Sequence, residues 1–337
     1  MRAVAYRESL PIEDPGSLQD IALPVPEPEP RDLLVRVEAI SVNPVDTKVR
    51  RSTDPGGEPK VLGWDAAGTV VAVGSEVRLF AIGDEVYYSG AVDRPGANSR
   101  FHAVDERLVA LKPVTLSFAQ AAALPLTAIT AWECLFERLG LRRDGMEQDG
   151  ALLVTAAAGG VGSIALQLAR ALTSLTLIGT ASRPETAAWA REMGAHHVVN
   201  HHEPLAEQLA AVAPGRLDYV LSAAATVRNA PVYAQALNPF GQVVAIDDFD
   251  SLEDITLYQT KSLSFHREFM FTRSLFRTAD MERQRHLLTQ VARLVDAGAV
   301  TTTATQDLGP VNAANLRKAH ALLESGSAIG KTTLTGF

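Results

Sequence analysis

Two hydrophobic rhythms divide this chain. Through residues 1–124 the apolar positions come in short, often alternating stretches cut by Gly and Pro. Segments 33–42 (LLVRVEAISV), 61–73 (VLGWDAAGTVVAV), 85–89 and 101–104 read as strands. Gly63 and Gly68 within the second mark bulges or barrel corners. Gly83-Asp84 is a turn and 94–98 (RPGAN) a loop. Short strands at this spacing predict a small, partly open β-barrel. From Pro125 onward longer apolar runs alternate with helical patterns: strands at 152–154, 175–181, 196–200, 217–223, 242–247 and 262–271, with helices between. That alternation predicts a doubly wound parallel sheet and places the chain in the α/β class. A helix over 281–297 carries the stripe Leu287, Val291, Leu294, Val295 and closes at Gly298. The tail, with a helix over 312–325 and a strand over 331–334, has no place in the parallel sheet. The expected domains are therefore 1–124, completed by 275–337, and 125–274.

The stretch 152–172, LLVTAAAGGVGSIALQLARAL, is the most informative in the chain. An apolar strand leads into Ala157, Gly159, Gly160, Val161 and Gly162, and then into a helix with Val161, Ala165, Leu168 and Leu172 on one side. Glycines bring a ligand close to the backbone, and free N–H groups at a helix start hold an anion, commonly a pyrophosphate. The pattern is A-x-G-x-x-G, one step from the G-x-G-x-x-G of dinucleotide sites, and its strand–turn–helix setting gives it weight.

At 337 residues, 47% of them hydrophobic, the chain has material for two cores. A formal charge of −8 argues against nucleic acid or an anionic membrane as partner. No segment reads as a membrane span, and the opening MRAVAYRESLPIEDP reads as a strand, not a signal peptide, so a cytoplasmic location is expected. The single cysteine, Cys134, builds neither an internal disulfide nor a cysteine-rich metal site. His196-His197 and His201-His202 are adjacent pairs and poor chelates, since neighbours on a strand point to opposite faces.

The order and spacing of GWDAAGTVVAVGSEV, FAIGDEV, ITAWECL and AAAGGVGSIALQLA resemble the medium-chain dehydrogenase/reductase superfamily. SVNPVDTK at 41–48 and the ending GKTTL at 330–334 sharpen the likeness to its quinone-oxidoreductase branch, to proteins commonly labelled zinc-type alcohol dehydrogenase-like. The resemblance implies a GroES-like barrel domain completed by the C-terminal tail, a Rossmann domain, a catalytic cleft between them, and a homodimer. Zinc-dependent relatives place a cysteine where Asn43 stands and a histidine where Trp64 stands, and they carry a four-cysteine loop that one cysteine cannot supply. No metal site is expected. Without a Lewis acid, hydride transfer favours acceptors that delocalise their own charge, such as quinones and α,β-unsaturated carbonyls.

The resemblance also implies roles. Asn43 and Asp46 fall near the nicotinamide and the cleft floor; a turn residue before Pro44 and a helix cap are the competing readings. Trp64 is either a pocket wall or a core residue. Thr130 approaches the nicotinamide carboxamide, or bonds back to its own helix. At the end of the second Rossmann strand stand Ser182 and Arg183, with no acidic residue for a ribose 2′-hydroxyl. A guanidinium there suits the 2′-phosphate of NADPH, unless it pairs with Glu185. His201 takes the place of a tyrosine beside the adenosine phosphate. Ser222, Ala223, Ile246 and Asp247 are expected near the nicotinamide ribose, and Phe269, Met270 and Phe271 beside the ring or in the sheet core. Tyr87, Tyr88, His102 and His266 are proton-donor types that nothing in the sequence positions. The expected activity is a zinc-independent, NADPH-dependent reduction of an electrophilic small molecule. A zinc-dependent alcohol dehydrogenase and a catalytically silent NADPH-binding redox sensor are the alternatives.

Overall fold

The computed structural model describes residues 1–143, 149–249 and 255–337. Contacts divide the chain into two compact units, Met1–Ile129 with Phe271–Phe337, and Thr130–Met270.

The first unit opens with β1 (Arg2–Tyr6), β2 (Gln19–Ala22), β3 (Asp32–Ser41), α1 (Pro44–Ser52), β4 (Lys60–Val61), β5 (Asp65–Val73), β6 (Glu85–Ser89), β7 (Phe101–Asp105), β8 (Val109–Leu111) and α2 (Phe118–Ala122). The helix α3 (Pro125–Trp132) follows. Where the sequence pattern suggested one strand over 61–73, the structure has β4 and β5 with a break at Leu62–Trp64. Leu62 and Gly63 give their carbonyls to the N–H groups of Asn98 and Ala97 (3.0 and 2.6 Å) instead of to a sheet ladder. Gly63 adopts φ +86°, and a Cβ there would sit 2.2 Å from the Asn98 amide oxygen, so only glycine fits the corner. The bulge expected near Gly68 is present, as a register shift between Val37 and Ala39 on the β3–β5 ladder.

The second unit contains β9 (Ala151–Val154), α4 (Gly160–Leu172), β10 (Thr176–Thr180), α5 (Pro184–Glu192), β11 (His197–Val199), α6 (Leu205–Val212), β12 (Leu217–Ser222), α7 (Thr226–Ala236), β13 (Gln242–Ala245) and β14 (Ser264–Arg267). These six strands form one parallel sheet in the order β11-β10-β9-β12-β13-β14, the Rossmann arrangement whose strand order reverses between β9 and β12. Ala151, Leu152, Leu153 and Val154 are all fully buried, as a strand covered on both faces requires. α4 is buried on more than its expected stripe, from Gly162 through Ala169, because α5 packs on it as well: the Trp189 indole donates to Ser163 Oγ at 2.8 Å.

The last strand is shorter than the run 262–271 suggested. β14 pairs with β13 only as far as Arg267 opposite Ala245, and the Glu268 N–H takes the final carbonyl, that of Ala245, at 3.0 Å. Its partner ends there, so the chain leaves the sheet, and Phe269, Met270 and Phe271 lie beyond the strand. It then enters α8 (Thr272–Leu275) and returns to the first unit through α9 (Arg283–Asp296), β15 (Ala304–Asp307), α10 (Ala313–Glu324) and β16 (Lys331–Thr335). There β16 joins the edge of the barrel sheet, antiparallel to β3, in the order β15-β16-β3-β5-β6-β8 with β7 on the other part of β3. Among the described residues no helix is long and apolar enough to cross a membrane.

Candidate active site

In the second unit the sequence-predicted nucleotide residues gather along one edge of the sheet. Every parallel strand leaves its carboxyl end there, and a ligand of such a sheet sits outside those ends, at the point where strand order reverses. After β9 the chain turns through Ala156, at φ +48°, and Ala157, whose N–H donates to Thr180 O at 3.2 Å. It then enters α4 with Gly159 as its first cap. Among the described residues no side chain caps that end. Gly159, Gly160 and Val161 are only half-buried, so the first N–H groups of a 13-residue helix face outward with the positive end of its dipole. A Cβ on Gly162 would lie 2.5 Å from the Ala156 carbonyl oxygen, which is why the turn closes tightly only with glycine there. The uncapped, side-chain-free helix start fits a pyrophosphate.

Around it stand the ends of the neighbouring strands. Ser182 is half-buried in the turn after β10. Arg183 caps α5 by a backbone N–H donated to Thr186 Oγ1 (3.2 Å), and its guanidinium lies 3.3 Å from Glu185. Both partners are substantially exposed, and an ion pair of that kind contributes little. His201 is exposed beyond β11, its ring 4.5 Å from that of His202. Burial, with His202 and Arg228 adding positive field, keeps the His201 imidazole below its ordinary pKa. After β12, Ser222 is fully buried and exchanges a hydrogen bond with the Tyr233 hydroxyl (2.9 Å). The Ala223 N–H donates to Thr155 Oγ1 at 2.8 Å. The N–H of Ile246 donates to Ser222 O (3.1 Å), and the Asp247 carboxylate accepts both the N–H (3.0 Å) and the hydroxyl of Thr226. Asp247 is thus the cap of α7, and Thr155 ties the end of β9 to that of β12. Sequence reasoning named neither Thr155 nor Thr226, whose roles appear only when the strands are side by side. Phe269 is 49% exposed while Met270 and Phe271 are buried.

The remaining predicted residues behave differently. Thr130 lies on α3 and is almost buried. Trp64 is core and not a pocket wall: it is 1% exposed, its indole donates to Ala91 O (2.9 Å), and Phe271 meets it edge-on at 5.8 Å. Asn43 is fully buried with both ends of its amide engaged. Nδ2 donates to Asp65 Oδ2 (2.8 Å), and Oδ1 accepts from the Lys331 ammonium (2.6 Å). Its amide thus serves a buried ion pair from both ends. Asp46 caps α1 through the Asn43 N–H on Oδ2 (2.9 Å), while its Oδ1 has no partner. Burial pushes the Asp46 carboxyl up to about 7, with Asp65 adding to the rise and the Asn43 N–H and Lys331 opposing it. Of the proton-donor types named from the sequence, Tyr87, Tyr88 and His102 are buried and His266 is half-buried. Tyr87 donates to Leu288 O (2.6 Å). Tyr88 bonds His102 Nδ1 (3.0 Å), whose ring in turn bonds Pro95 O (3.0 Å) and is pushed down to about 4 by burial. His266 lies on β14 with its Nε2 buried and unpartnered. Among the described residues no group of three or more His, Cys, Asp or Glu side chains could hold a metal ion. Cys134 is buried, and burial drives its thiol well above the ordinary range.

A Rossmann sheet with a glycine-started helix at its switch point, in one chain with a unit built on a GroES-like sheet, defines a class. The zinc-binding dehydrogenase family matches residues 160–285, and the alcohol dehydrogenase GroES-like domain matches residues 29–114. The chain belongs to the medium-chain dehydrogenase/reductase superfamily, a superfamily of oxidoreductases. It is 36% identical over 335 residues to a zinc-type alcohol dehydrogenase-like protein of Staphylococcus epidermidis, covering 99% of each chain. A crystal structure from Rhizobium etli CFN 42, named for zinc-dependent alcohol dehydrogenase, superposes with a TM-score of 0.95 at 52% identity, over 100% of this chain and 98% of that one. The Escherichia coli quinone oxidoreductase complexed with NADPH superposes with a TM-score of 0.82 at 25% identity, over 99% and 100%.

Proposed function

We propose that this protein is a zinc-independent, NADPH-dependent reductase of quinones or α,β-unsaturated carbonyls. The observation that carries the reading is the uncapped start of α4 at the switch point of the sheet. The N–H groups of Gly160 and Val161 would hold the pyrophosphate, with Gly162 keeping the turn tight beneath them. Arg183, at the end of β10 where an NAD enzyme usually has an acid, would read the 2′-phosphate. The Escherichia coli relative carries NADPH, which agrees with that choice. When bound, the dinucleotide supplies the hydride.

The donor set argues against zinc. The amide oxygen of Asn43 already accepts from an ammonium, and a dication beside that ammonium would meet direct repulsion. The only polar atom of Trp64 is an N–H donor committed to Ala91. Burial pushes the Asp46 carboxyl up to about 7, the range in which an acid handles protons at neutrality.

The test is titration of the purified protein with NADPH and NADH, then turnover on a panel of quinones and enones, with metal analysis of the same sample. Tighter NADPH binding and metal-free turnover support the reading. Stoichiometric zinc with turnover that a chelator abolishes would overturn it. Tight NADPH binding without turnover on any acceptor would replace it with a binding protein.

A further inference from the structure

The pair that holds Asn43 reaches further than Asn43. Asp65, at the start of β5, is fully buried, and Lys331, at the start of β16, is 5% exposed. Their charges lie 3.1 Å apart although 266 residues separate them in sequence. The ammonium also donates to Val42 O (2.7 Å) and Asn43 Oδ1 (2.6 Å), so all three of its protons have acceptors. On the Asp65 side, Oδ2 serves Lys331 and Asn43, and Oδ1 accepts the backbone N–H of Leu126 at 2.7 Å.

Leu126 is the second residue of α3. Pro125, the first, has no N–H, so the Leu126 amide is the first donor the helix presents. A carboxylate placed there is held by a hydrogen bond and by the positive end of the helix. Thr130 follows Leu126 by four residues and therefore lies on the same face, one turn along. A buried carboxylate with every interaction satisfied fixes a position more rigidly than an exposed cap, because leaving either charge without its partner is strongly unfavourable.

We propose that Asp65 and Lys331 are positioning residues: through the Leu126 amide they set the placement of α3, and with it that of the Thr130 hydroxyl. This rests on the reductase reading for its kinetic consequence but not for its structural one. The variants are Asp65→Asn, Lys331→Met and the charge-neutral pair Asp65→Asn/Lys331→Met, with Thr130→Val in the wild-type and Asp65→Asn backgrounds. The charge-neutral pair carries the test if a single variant does not fold. Hydrogen exchange over residues 125–132, with and without NADPH, needs no turnover. It should speed up by about tenfold or more in Asp65→Asn, with residues 151–172 unchanged. In kinetics kcat should fall by about tenfold while KM for NADPH changes by no more than about twofold. Thr130→Val should cost much less in the Asp65→Asn background than in wild type, a coupling that a merely structural role would not produce. Unchanged exchange over 125–132 in a folded variant would overturn the proposal, as would additive effects of the Thr130 and Asp65 substitutions. If wild type turns over no acceptor, the reductase reading fails, and the exchange data still decide whether the pair holds α3.

Discussion

Asp46 offers the most direct physical test of the buried cluster. Its carboxyl is fully buried, with one oxygen capping the Asn43 N–H and the other without a partner among the described residues, and it is pushed up from the ordinary carboxylate range to about 7. Desolvation is the largest cause and favours the neutral acid. In the unfolded chain the same group ionises near pH 4. Between pH 4 and about 7 the unfolded state therefore gains from ionisation while the folded state stays protonated, and stability falls as pH rises. The stabilisation is fully present below the unfolded pKa and lost once pH passes the folded one. The gap between the unfolded and folded carboxyl corresponds to about 4 kcal/mol across that window, flat above it. Asp46→Asn keeps an acceptor for the Asn43 N–H but removes the titration. An unpaired amide N–H₂ group there shifts the whole curve by about 1–3 kcal/mol without changing its slope. Urea denaturation of wild type and variant from about pH 4 to pH 9 should give a stability difference that moves in the variant's favour up to about pH 7 and then levels. Carboxyl carbon NMR of the folded wild type should show one aspartate titrating in the neutral range and absent from the variant. A difference curve without slope, or an Asp46 signal titrating near pH 4, would refute the argument.

Other expectations follow from single contacts. Arg183→Ala should weaken NADPH by roughly tenfold to a hundredfold, the loss of a charge-assisted contact, and leave NADH nearly unchanged. Equal losses in parallel titrations would place the 2′-phosphate elsewhere. Gly162→Ala, whose Cβ would lie 2.5 Å from the Ala156 carbonyl, should cost about 1–3 kcal/mol and lower both Tm and dinucleotide affinity. A native Tm would mean that the turn yields. Ala156→Gly, at φ +48°, relieves a left-handed alanine and should be neutral or stabilising by up to about 1 kcal/mol in thermal melts. A clear destabilisation would mean that the Ala156 methyl packs usefully.

Much of the fold was legible because burial writes a local period. The apolar run at 152–154 suited a strand covered on both faces, that at 217–223 read as a further strand, and the glycine bend at 159–162 announced a helix start that accepts an anion. The sequence therefore determined the Rossmann unit, the side of the sheet on which a nucleotide would lie, and the absence of a cysteine set for structural zinc. Contacts between distant segments were left to the tertiary structure. Nothing near Asp65 foretells Lys331, because the two meet only when β16 pairs with β3. Local pattern could not separate a wall from a core for Trp64, since an indole suits both, and burial under Phe271 decided it. Nor could it end the last strand at Arg267, because apolar residues resume at Phe269, Met270 and Phe271 while the partner strand stops at Ala245. Asp46 read as either a cleft residue or a helix cap, and what pushes its carboxyl up to about 7 is its burial in the folded chain. Periodicity reports which face of an element is hidden. Only three-dimensional packing decides what it is hidden against, and with that the charge a buried group can carry.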